Sequence, residues 1–542
     1  MSRLSWTASR SFFMALFGAG FVAGPACDDA AAPGDTVDTH DSIDANDTLD
    51  TADVGADSVD ANDAVDDTEV PLGDDVYGPR PRPPGPLPEV LLGPGWVSHW
   101  RTQIAPFWTS AEALGTPVGN FPTYRGMDGR VTGSSRRRPR MISRQVYAYS
   151  AGYLMTGDAT LLAHAKAGVD WLQAHAIDRV NGGCYAELDA DGNPVDGVRT
   201  AQDLAYCMMG IGAWYFVTRD PGVEADLLAA RNLFFDPARY WDSAKGRVRD
   251  ALGSDMTTPV DVENDGGSEL VAQLDPVNAF MLLVQPVLAR PGDRALFLED
   301  LRKLGQVLVR DFHQDGLFWG VDTNKGRFGT KHVDFGHIAK TYWMLLEIDK
   351  RLPDHPFHDL VVAELPPLLA RAYDADNGRW AKRPTGTSTV EYGSDWWIYA
   401  ELDQISATLD LAVPSDVGYV ETRAATAGHW LTDYVDATWG LEVIPSIKRD
   451  GSRGWSWPVT DTAKCNEWKN GFHSSEHALI LSLLGDALAD LPTTLHFALV
   501  DPTLDVRPYL FHGRELDRTP STPITVGTLS LTPLAVRFTD LW

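Results

Sequence analysis

Residues that could bind a polyhydroxylated ligand recur at the start of every second predicted helix. Aromatic faces pack against the apolar side of a sugar ring, while arginine, aspartate and asparagine side chains bond to its hydroxyl groups. Six such sets pointing into one funnel would form a binding site. Helix by helix, the sets are Arg144 and Tyr147; Gln202, Asp203 and Tyr206; Gln273, Asp275 and Asn278; His332, Asp334, His337 and Lys340; Trp396, Trp397, Tyr399 and Glu401; and Trp468, Lys469 and His473.

A repeated pattern of two helices must position these residues. Apolar residues recur at the 3.6-residue helical spacing in twelve segments. The segments are 95–110, 140–156, 158–175, 200–217, 221–234, 267–289, 292–312, 332–350, 356–373, 393–411, 416–434 and 471–489. The connections after odd-numbered helices are long, and five of them carry an aspartate shortly before a glycine, at intervals of roughly 60–70 residues. Six helical hairpins can close into an (α/α)6 toroid, in which we expect the even-numbered helices to form the inner ring.

The toroid is predicted to span residues 91–496, followed by a small β appendage over 497–542. Segments 525–531 and 534–538 alternate apolar and polar residues between proline and glycine turns, which is typical of strands. The predicted fold class is therefore all-α, with a β appendage at the C-terminus.

The first 90 residues have the composition of a targeting signal and a tether. A basic start, an apolar run over 12–23 and small residues before Cys27 predict a secretion signal over 1–27, and a lipoprotein signal with lipid on Cys27 is favoured over plain secretion or an uncleaved anchor. Residues 28–75 contain sixteen Asp and one Glu but no Lys or Arg, within a chain of formal charge −29. We expect a disordered acidic and proline-rich tether over 28–90, and no nucleic-acid partner.

Three cysteines remain beyond the signal, namely Cys184, Cys207 and Cys465. An odd number allows at most one disulfide, and none need form. No pair has the spacing of zinc ligands, so buried free thiols are favoured over a metal site.

Five segments, in order along residues 140–480, resemble the N-acylglucosamine 2-epimerase family, which includes cellobiose 2-epimerases and mannose isomerases. They are Ser143-Arg144-Gln145-Val146-Tyr147-Ala148-Tyr149-Ser150-Ala151-Gly152-Tyr153; Gly182-Gly183-Cys184-Tyr185 with Leu188-Asp189-Ala190-Asp191-Gly192; Asp334-Phe335-Gly336-His337-Ile338-Ala339-Lys340-Thr341-Tyr342-Trp343; Trp396-Trp397-Ile398-Tyr399-Ala400-Glu401; and Trp468-Lys469-Asn470-Gly471-Phe472-His473. The fold of that family is the toroid that the periodicity already predicts.

The resemblance implies proton transfer next to the anomeric carbonyl of a reducing sugar. One histidine of a family member removes the C2 proton to give an enediol-like intermediate, and the other helps to return a proton. Return to the opposite face of C2 epimerises the sugar, whereas delivery to C1 gives aldose–ketose isomerisation. Carried over to this chain, His337 and His473 are the acid/base pair and Arg144 stabilises the oxyanion, with no obligatory cofactor. The expected substrate contacts are Tyr147, Asp203, Tyr206, Asp275, Asn278, His332, Lys340, Trp397, Glu401, Trp468 and Lys469.

The chain departs from the family's pattern at several positions. Lys340 replaces a usual Glu, Tyr399 a common Gln, and Glu476 a frequent Arg. Asp203 and Tyr206 stand where several members place His. Lys340 and Glu476 could be a swapped charge pair, or could mark a different substrate or a lost activity.

Rival readings use the same residues. A glycoside hydrolase or lyase on the same toroid would need two carboxylates, for which Asp203, Asp275 and Glu401 are available. A non-catalytic sugar-binding surface lipoprotein is a second alternative. The segment from His473 to His477 matches the H-x-x-E-H zinc-peptidase pattern, but it lacks an identifiable distant carboxylate, so no metal is expected.

The sequence therefore predicts an exported, membrane-anchored sugar epimerase or isomerase. Its expected partner is a mono- or oligosaccharide substrate. Contact with the membrane is expected only through lipid on Cys27, and the protein is expected to be a monomer or dimer.

Overall fold

The computed structural model describes residues 76–79, 85–195, 197–262, 264, 266–413, 418–436, 438–439, 441–454 and 463–542. The predicted signal, the predicted lipid attachment site at Cys27 and most of the predicted tether lie outside the described residues.

Twelve main helices, α1 to α12, make up the described part of the toroid, and each coincides with one predicted segment. They begin where helix-capping residues or proline allow, as at Asp158 and Thr200, whose side chains accept bonds from backbone N–H groups of the first turn. The helices are α1 (93–108), α2 (Pro139–Thr156), α3 (159–176), α4 (Ala201–Thr218), α5 (Pro221–Phe235), α6 (270–287), α7 (291–312), α8 (Phe335–Asp349), α9 (His358–Ala372), α10 (Trp396–Ala412), α11 (420–434) and α12 (Phe472–Leu488).

The even-numbered helices form the inner ring, as predicted. Helix α4 is buried along almost its whole length because it is apolar on all sides, whereas α7 exposes a charged face. Helix α2 packs against α4 and α12, and α10 packs against α8 and α12. The contact between α2 and α12 joins the first and last hairpins, and the (α/α)6 fold class is confirmed.

The aspartate–glycine pattern of the long loops corresponds to a short β-hairpin after three outer helices and to a single β-bridge after two others. Trp241–Asp242 pairs with Arg247–Val248, His313–Gln314 with Leu317–Phe318, and Tyr373–Asp374 with Arg379–Trp380. Single bridges at Ile177–Cys184 and Val435–Val443 occupy the corresponding places in two other repeats. Each hairpin turns the chain back toward the start of the next inner helix.

The C-terminal appendage is a four-stranded antiparallel sheet that begins at Thr493, four residues before the predicted boundary. Its long strand, Leu529–Thr539, pairs with Thr493–Leu499 on one side and Arg514–Pro520 on the other, and Ile524–Val526 pairs with its first residues. Strand Thr493–Leu499 packs against α2 and α4. The earlier start is explained by the apolar side chains of Leu495 and Phe497, which are buried against the helices.

Residues 76–79 differ from the tether predicted over 28–90, because they pack on the folded part. Tyr77 is buried and donates a hydrogen bond to Asp349 at 2.8 Å. Its ring contacts the imidazoles of His355 and His358 edge-on. An aromatic residue within a proline-rich segment can thus anchor the chain ahead of the first helix.

A disulfide joins Cys184, in the loop after α3, to Cys207 in α4, and Cys465 is a buried free thiol. The bridge is the one disulfide that the cysteine count allowed. Within the described residues, Leu270–Val287 is the one helix long and apolar enough to cross a membrane, but 89% of it is buried inside the toroid, as for a core helix.

Candidate active site

A cavity of about 640 Å³ opens at the end of the toroid where the inner helices begin. All six inner helices start at this end, so the side chains of their first turns converge on it. Nine predicted site residues line the cavity: Arg144, Tyr206, Asp275, His332, His337, Lys340, Trp397, Trp468 and His473.

His337 lies in the first turn of α8 and is held by Asp334, the residue that caps this helix. The Asp334 carboxylate accepts a bond from the backbone N–H of His337 at 2.9 Å and contacts the imidazole Nδ1 at 2.7 Å. Burial alone would lower the pKa of His337, but the charge and hydrogen bond of Asp334 outweigh it and raise this pKa above its usual value. The raised pKa favours the protonated form of His337, which lines the cavity.

His473 lies in the first turn of α12, in the opposite electrostatic environment. Burial, followed by the positive charges of Lys340, Arg144 and Lys469, lowers the pKa of His473 well below its usual value. Its imidazole is therefore neutral near pH 7 and able to accept a proton. Two histidines of one cavity thus have pKa values displaced in opposite directions, which is the arrangement expected of an acid and a base.

Trp397 stands between the two histidines. The Trp397 ring centroid is 4.7 Å from that of His337 and 5.9 Å from that of His473. The imidazole of His332 lies on the other side of His337, with 4.7 Å between the ring centroids. His332 has a backbone φ of 56°, which is uncommon for a residue with a side chain. An indole between an acid and a base offers a flat apolar surface for a sugar ring.

A buried charge cluster lies beneath His473. The Lys340 ammonium is 2.6 Å from the Glu401 carboxylate, which is in turn 3.2 Å from Nδ1 of His473. Burial together with the charge of Glu401 raises the pKa of Glu476, which favours its protonated form. Lys340 therefore pairs directly with Glu401, whereas the swapped-pair hypothesis matched it with Glu476.

The C-terminal segment reaches this cluster from below. Tyr509 donates a hydrogen bond to Glu476 at 3.1 Å, and its hydroxyl lies 2.6 Å from that of Tyr147 on α2. All three side chains are buried. The appendage thus contributes a polar side chain, Tyr509, to the buried layer beneath the cavity.

Arg144 faces the cavity from α2 and lies 3.7 Å above the ring of Tyr206. Tyr206 donates to Asp275 at 2.9 Å, and Gln202 donates to the other oxygen of Asp275 at 2.8 Å. The buried Nε of Arg144 has no hydrogen-bond partner within the described part of the chain. A guanidinium with a donor to spare is suited to a developing oxyanion.

Five predicted substrate contacts do not belong to the lining of this cavity. Tyr147 meets Tyr509, Asp203 forms an ion pair with Arg140 at 3.2 Å, and Lys469 forms a buried ion pair with Glu442 at 3.0 Å. Glu401 lies beneath His473, and the lining residues contributed by α6 include Asp275 but not Asn278. Sequence position alone could not separate the cavity-facing side of an inner helix from the sides that face its neighbours.

Several lining residues were missed by the sequence analysis or were noted there without a role. Lys382 and Arg383 lie in the loop after α9, and Arg140 lies in the first turn of α2. Asp395 directly precedes α10, and its carboxylate is 3.3 Å from the Lys382 ammonium. Residues 329–331 also contribute. Arg140 could have been predicted from the sequence, because it lies one helical turn before Arg144 and therefore on the same face of α2. The loop residues have no such periodic relation to a predicted site residue.

The histidines of the H-x-x-E-H pattern do not act together. The imidazole of His477 lies 3.0 Å from Asp403, whereas that of His473 lies 3.2 Å from Glu401. Within the described residues, Glu401, His473 and Glu476 form a buried group whose ligand-type atoms lie within 4.8 Å of one another. The Lys340 ammonium already pairs with Glu401 at this group, at 2.6 Å.

Comparison with known proteins gives consistent results. The N-acylglucosamine 2-epimerase (GlcNAc 2-epimerase) family matches residues 119–265. The chain is 24% identical to the cellobiose 2-epimerase of Bacteroides fragilis over 420 residues, covering 71% of this chain and 96% of that protein. It is 25% identical to that of Eubacterium cellulosolvens over 405 residues, covering 70% and 95%.

Solved structures show the same fold. The cellobiose 2-epimerase of Spirochaeta thermophila DSM 6192 matches with a TM-score of 0.61 at 17% identity, covering 73% of this chain and 96% of that one. A D-mannose isomerase matches with a TM-score of 0.60 at 16% identity, covering 73% and 98%. These structures confirm the fold, and the matches in sequence confirm the resemblance to the family.

Proposed function

We propose that this chain, a relative of the N-acylglucosamine 2-epimerase family, is a sugar 2-epimerase or aldose–ketose isomerase acting on a reducing sugar. The observation that carries the proposal is the pair of cavity histidines on either side of Trp397, of which His473 is poised as the base and His337 as the acid. The similarity to cellobiose 2-epimerases and a mannose isomerase supports the same assignment.

The reaction begins from the open-chain sugar. Neutral His473 takes the proton from C2 as the C2–H electron pair moves into an enediolate, and Arg144 stabilises the negative charge that develops on the carbonyl oxygen. His337 gives its proton to the intermediate or to its oxygen. Protonation of C2 on the opposite face yields the epimer, whereas protonation of C1, with transfer of the O2 hydroxyl proton to O1, yields the ketose.

The charge cluster under His473 keeps that imidazole neutral. Lys340 lies close enough to His473 to oppose its protonation, while Glu401 balances part of the positive charge. The Lys340 and Glu476 departures therefore retain a mixed-charge cluster, and we propose that they preserve activity.

A hydrolase is less well supported by the same cavity. In the described lining, the carboxylates are Asp275, Asp334 and Asp395, and each is engaged, by Tyr206, His337 and Lys382 respectively. Glycoside cleavage needs one carboxyl group free to protonate the leaving oxygen and another to act as base or nucleophile.

Proton NMR in deuterium oxide tests the proposal. The protein is offered cellobiose, mannose, glucose, fructose and N-acetylglucosamine, together with His337→Ala, His473→Ala and the outer-helix control His164→Ala. We expect deuterium to enter C2 or C1 of at least one sugar, to be lost in both site variants and to be retained in the control. Cleavage of cellobiose without exchange, or binding without exchange, would replace the proposal with a hydrolase or a binding protein.

We also propose that the protein is exported and carries lipid on Cys27. The signal-like start of the sequence supports this, as does the Cys184–Cys207 bridge, since disulfides persist in oxidising compartments. Metabolic labelling with a radioactive fatty acid checks it: label lost in Cys27→Ala is expected, and equal labelling or no labelling of both proteins contradicts lipidation.

A further inference from the structure

A second cavity, of about 560 Å³, lies at the opposite end of the toroid from the candidate active site. It is formed where inner helices α4, α6 and α8 end, and the C-terminal segment 500–512 covers it. None of its lining residues belongs to the first cavity. Its volume lies within the range of small-molecule sites.

The lining of this far-end cavity is strongly basic within a chain of formal charge −29. Two of its side chains are carboxylates, Glu224 and Asp505. Five are lysine or arginine, namely Arg219, Arg294, Lys350, Arg351 and Arg507. Basic groups gathered in a concave wall focus a positive potential that attracts anions.

Two cations of the wall, Lys350 and Arg351, share an acidic partner. Glu347 lies beneath the wall, 2.9 Å from the Lys350 ammonium and 3.4 Å from the Arg351 guanidinium, so two positive charges share one carboxylate. Arg219 donates to backbone carbonyls, those of Tyr215, Phe216 and Asp505. Carbonyl oxygens accept these three bonds, from a guanidinium with five N–H donors, and leave its full charge.

The pKa values of the wall agree with this excess of positive charge. Burial and the neighbouring charge of Arg507 lower the pKa of Arg219 to about 10. Burial also lowers the pKa of Lys350 and of Arg351. Holding these groups together costs free energy that a bound anion would offset.

The imidazole of His512 also lines the far-end cavity. The buried Nδ1 of His512 has no hydrogen-bond partner in the described part of the protein, and its ring stacks on Trp542 with 4.2 Å between centroids. Burial and the charges of Arg351, Lys350 and Arg507 lower the pKa of His512 well below its usual value. A neutral imidazole can still donate one hydrogen bond to an oxygen.

We propose that the far-end cavity is a binding site for a small organic oxyanion, held by Arg219, Arg294, Arg507 and Lys350. Arginine forks bind carboxylate and phosphate oxygens in the same geometry, so a uronate, a polycarboxylate and a phosphate ester share the chemistry. Leu288, Leu298 and Leu504 in the lining would contact the carbon skeleton of such a ligand. The proposal is independent of the sugar reaction at the other end.

Calorimetric titration and thermal unfolding of the full chain test it, with citrate, galacturonate, glucose 6-phosphate and inorganic phosphate as probes in 150 mM NaCl, near physiological ionic strength. We expect saturable binding of at least one probe and a rise in Tm with its concentration. Arg507→Gln should weaken that binding at least tenfold, and so should Arg294→Gln. Arg302→Gln, which removes a surface arginine paired with Asp354, is the matched control and should leave the affinity unchanged.

The choice of probes separates the sources of the anion, since uronate, polycarboxylate and phosphate ester are tested side by side. Saturable binding that survives both cavity substitutions would overturn the proposal, as would the lack of saturable binding by every probe at 10 mM, about ten-thousandfold above a micromolar Kd. If Arg507→Gln fails to fold, Arg294→Gln decides the question, because Arg294 lies on outer helix α7 at the edge of the cavity.

Discussion

Replacing Asp334 with asparagine would separate the proton chemistry of His337 from the helix around it. One Asp334 oxygen caps α8 by accepting the His337 backbone N–H at 2.9 Å, a task that asparagine performs equally well. The other oxygen, 2.7 Å from the imidazole Nδ1, supplies the charge that raises the pKa of His337. Asp334→Asn removes this charge and retains the cap.

The size of the effect follows from the contact. A hydrogen bond to a charged partner contributes about 1.5–3 kcal/mol, and 1.4 kcal/mol corresponds to about a factor of ten. On the alkaline side of its pKa, the protonated fraction of His337 should therefore fall about 10- to 100-fold. Without Asp334, burial is no longer outweighed, so the pKa of His337 falls and the acid form is lost at a lower pH.

The assay is kcat/KM for the active sugar as a function of pH. The alkaline limb, set by protonated His337, should move to lower pH in Asp334→Asn. The acidic limb, set by neutral His473 with its lowered pKa, should stay in place. Asp359→Asn, an exposed change in the first turn of α9, is the control. A uniform loss of rate with both limbs unmoved would refute the assignment of His337 as the acid.

Two further predictions concern stability, measured by urea unfolding. Tyr509→Phe should lower the free energy of unfolding by about 1–3 kcal/mol, because buried Glu476 and Tyr147 lose a hydrogen-bond partner. The control Tyr392→Phe, at an exposed position, should leave this free energy unchanged. Equal stability of the two variants would contradict a stabilising role of the Tyr509 hydrogen bonds. Cys207→Ser should cost about 3 kcal/mol, since the disulfide closes a loop with a sequence separation of 23. Wild type treated with a reductant should fall to the level of that variant, and a reductant effect that persists in Cys207→Ser would contradict this explanation.

Much of the candidate site was predictable from the sequence because it depends on helix starts. Asp334 and His337 are three residues apart, which fixes a cap and a first-turn side chain on one helix. Once six inner helices begin at the same end, their first turns must converge. Arg144, Trp397 and His473 therefore reached the cavity as predicted.

Other parts depend on contacts between segments far apart in sequence. Glu401 and Lys469 lie near the starts of inner helices, but neither lines the cavity. Glu401 forms a buried ion pair with Lys340, and Lys469 forms one with Glu442. Tyr509 comes from a segment that showed strand-like and turn patterns only, and its contact with Glu476 spans 33 residues. No local pattern predicts which buried charges will meet.

The sequence by itself therefore determined the twelve helices, their alternation between inner and outer rings, and the residues of the inner first turns, because periodicity and capping are properties of neighbouring residues. Only the tertiary structure decided which of those side chains face the cavity, how His337 and His473 acquire opposite shifts in pKa, and that basic residues from three helices and the C-terminal segment meet at the far end. Those outcomes depend on burial and on the distances between charges, which arise only when the ring closes.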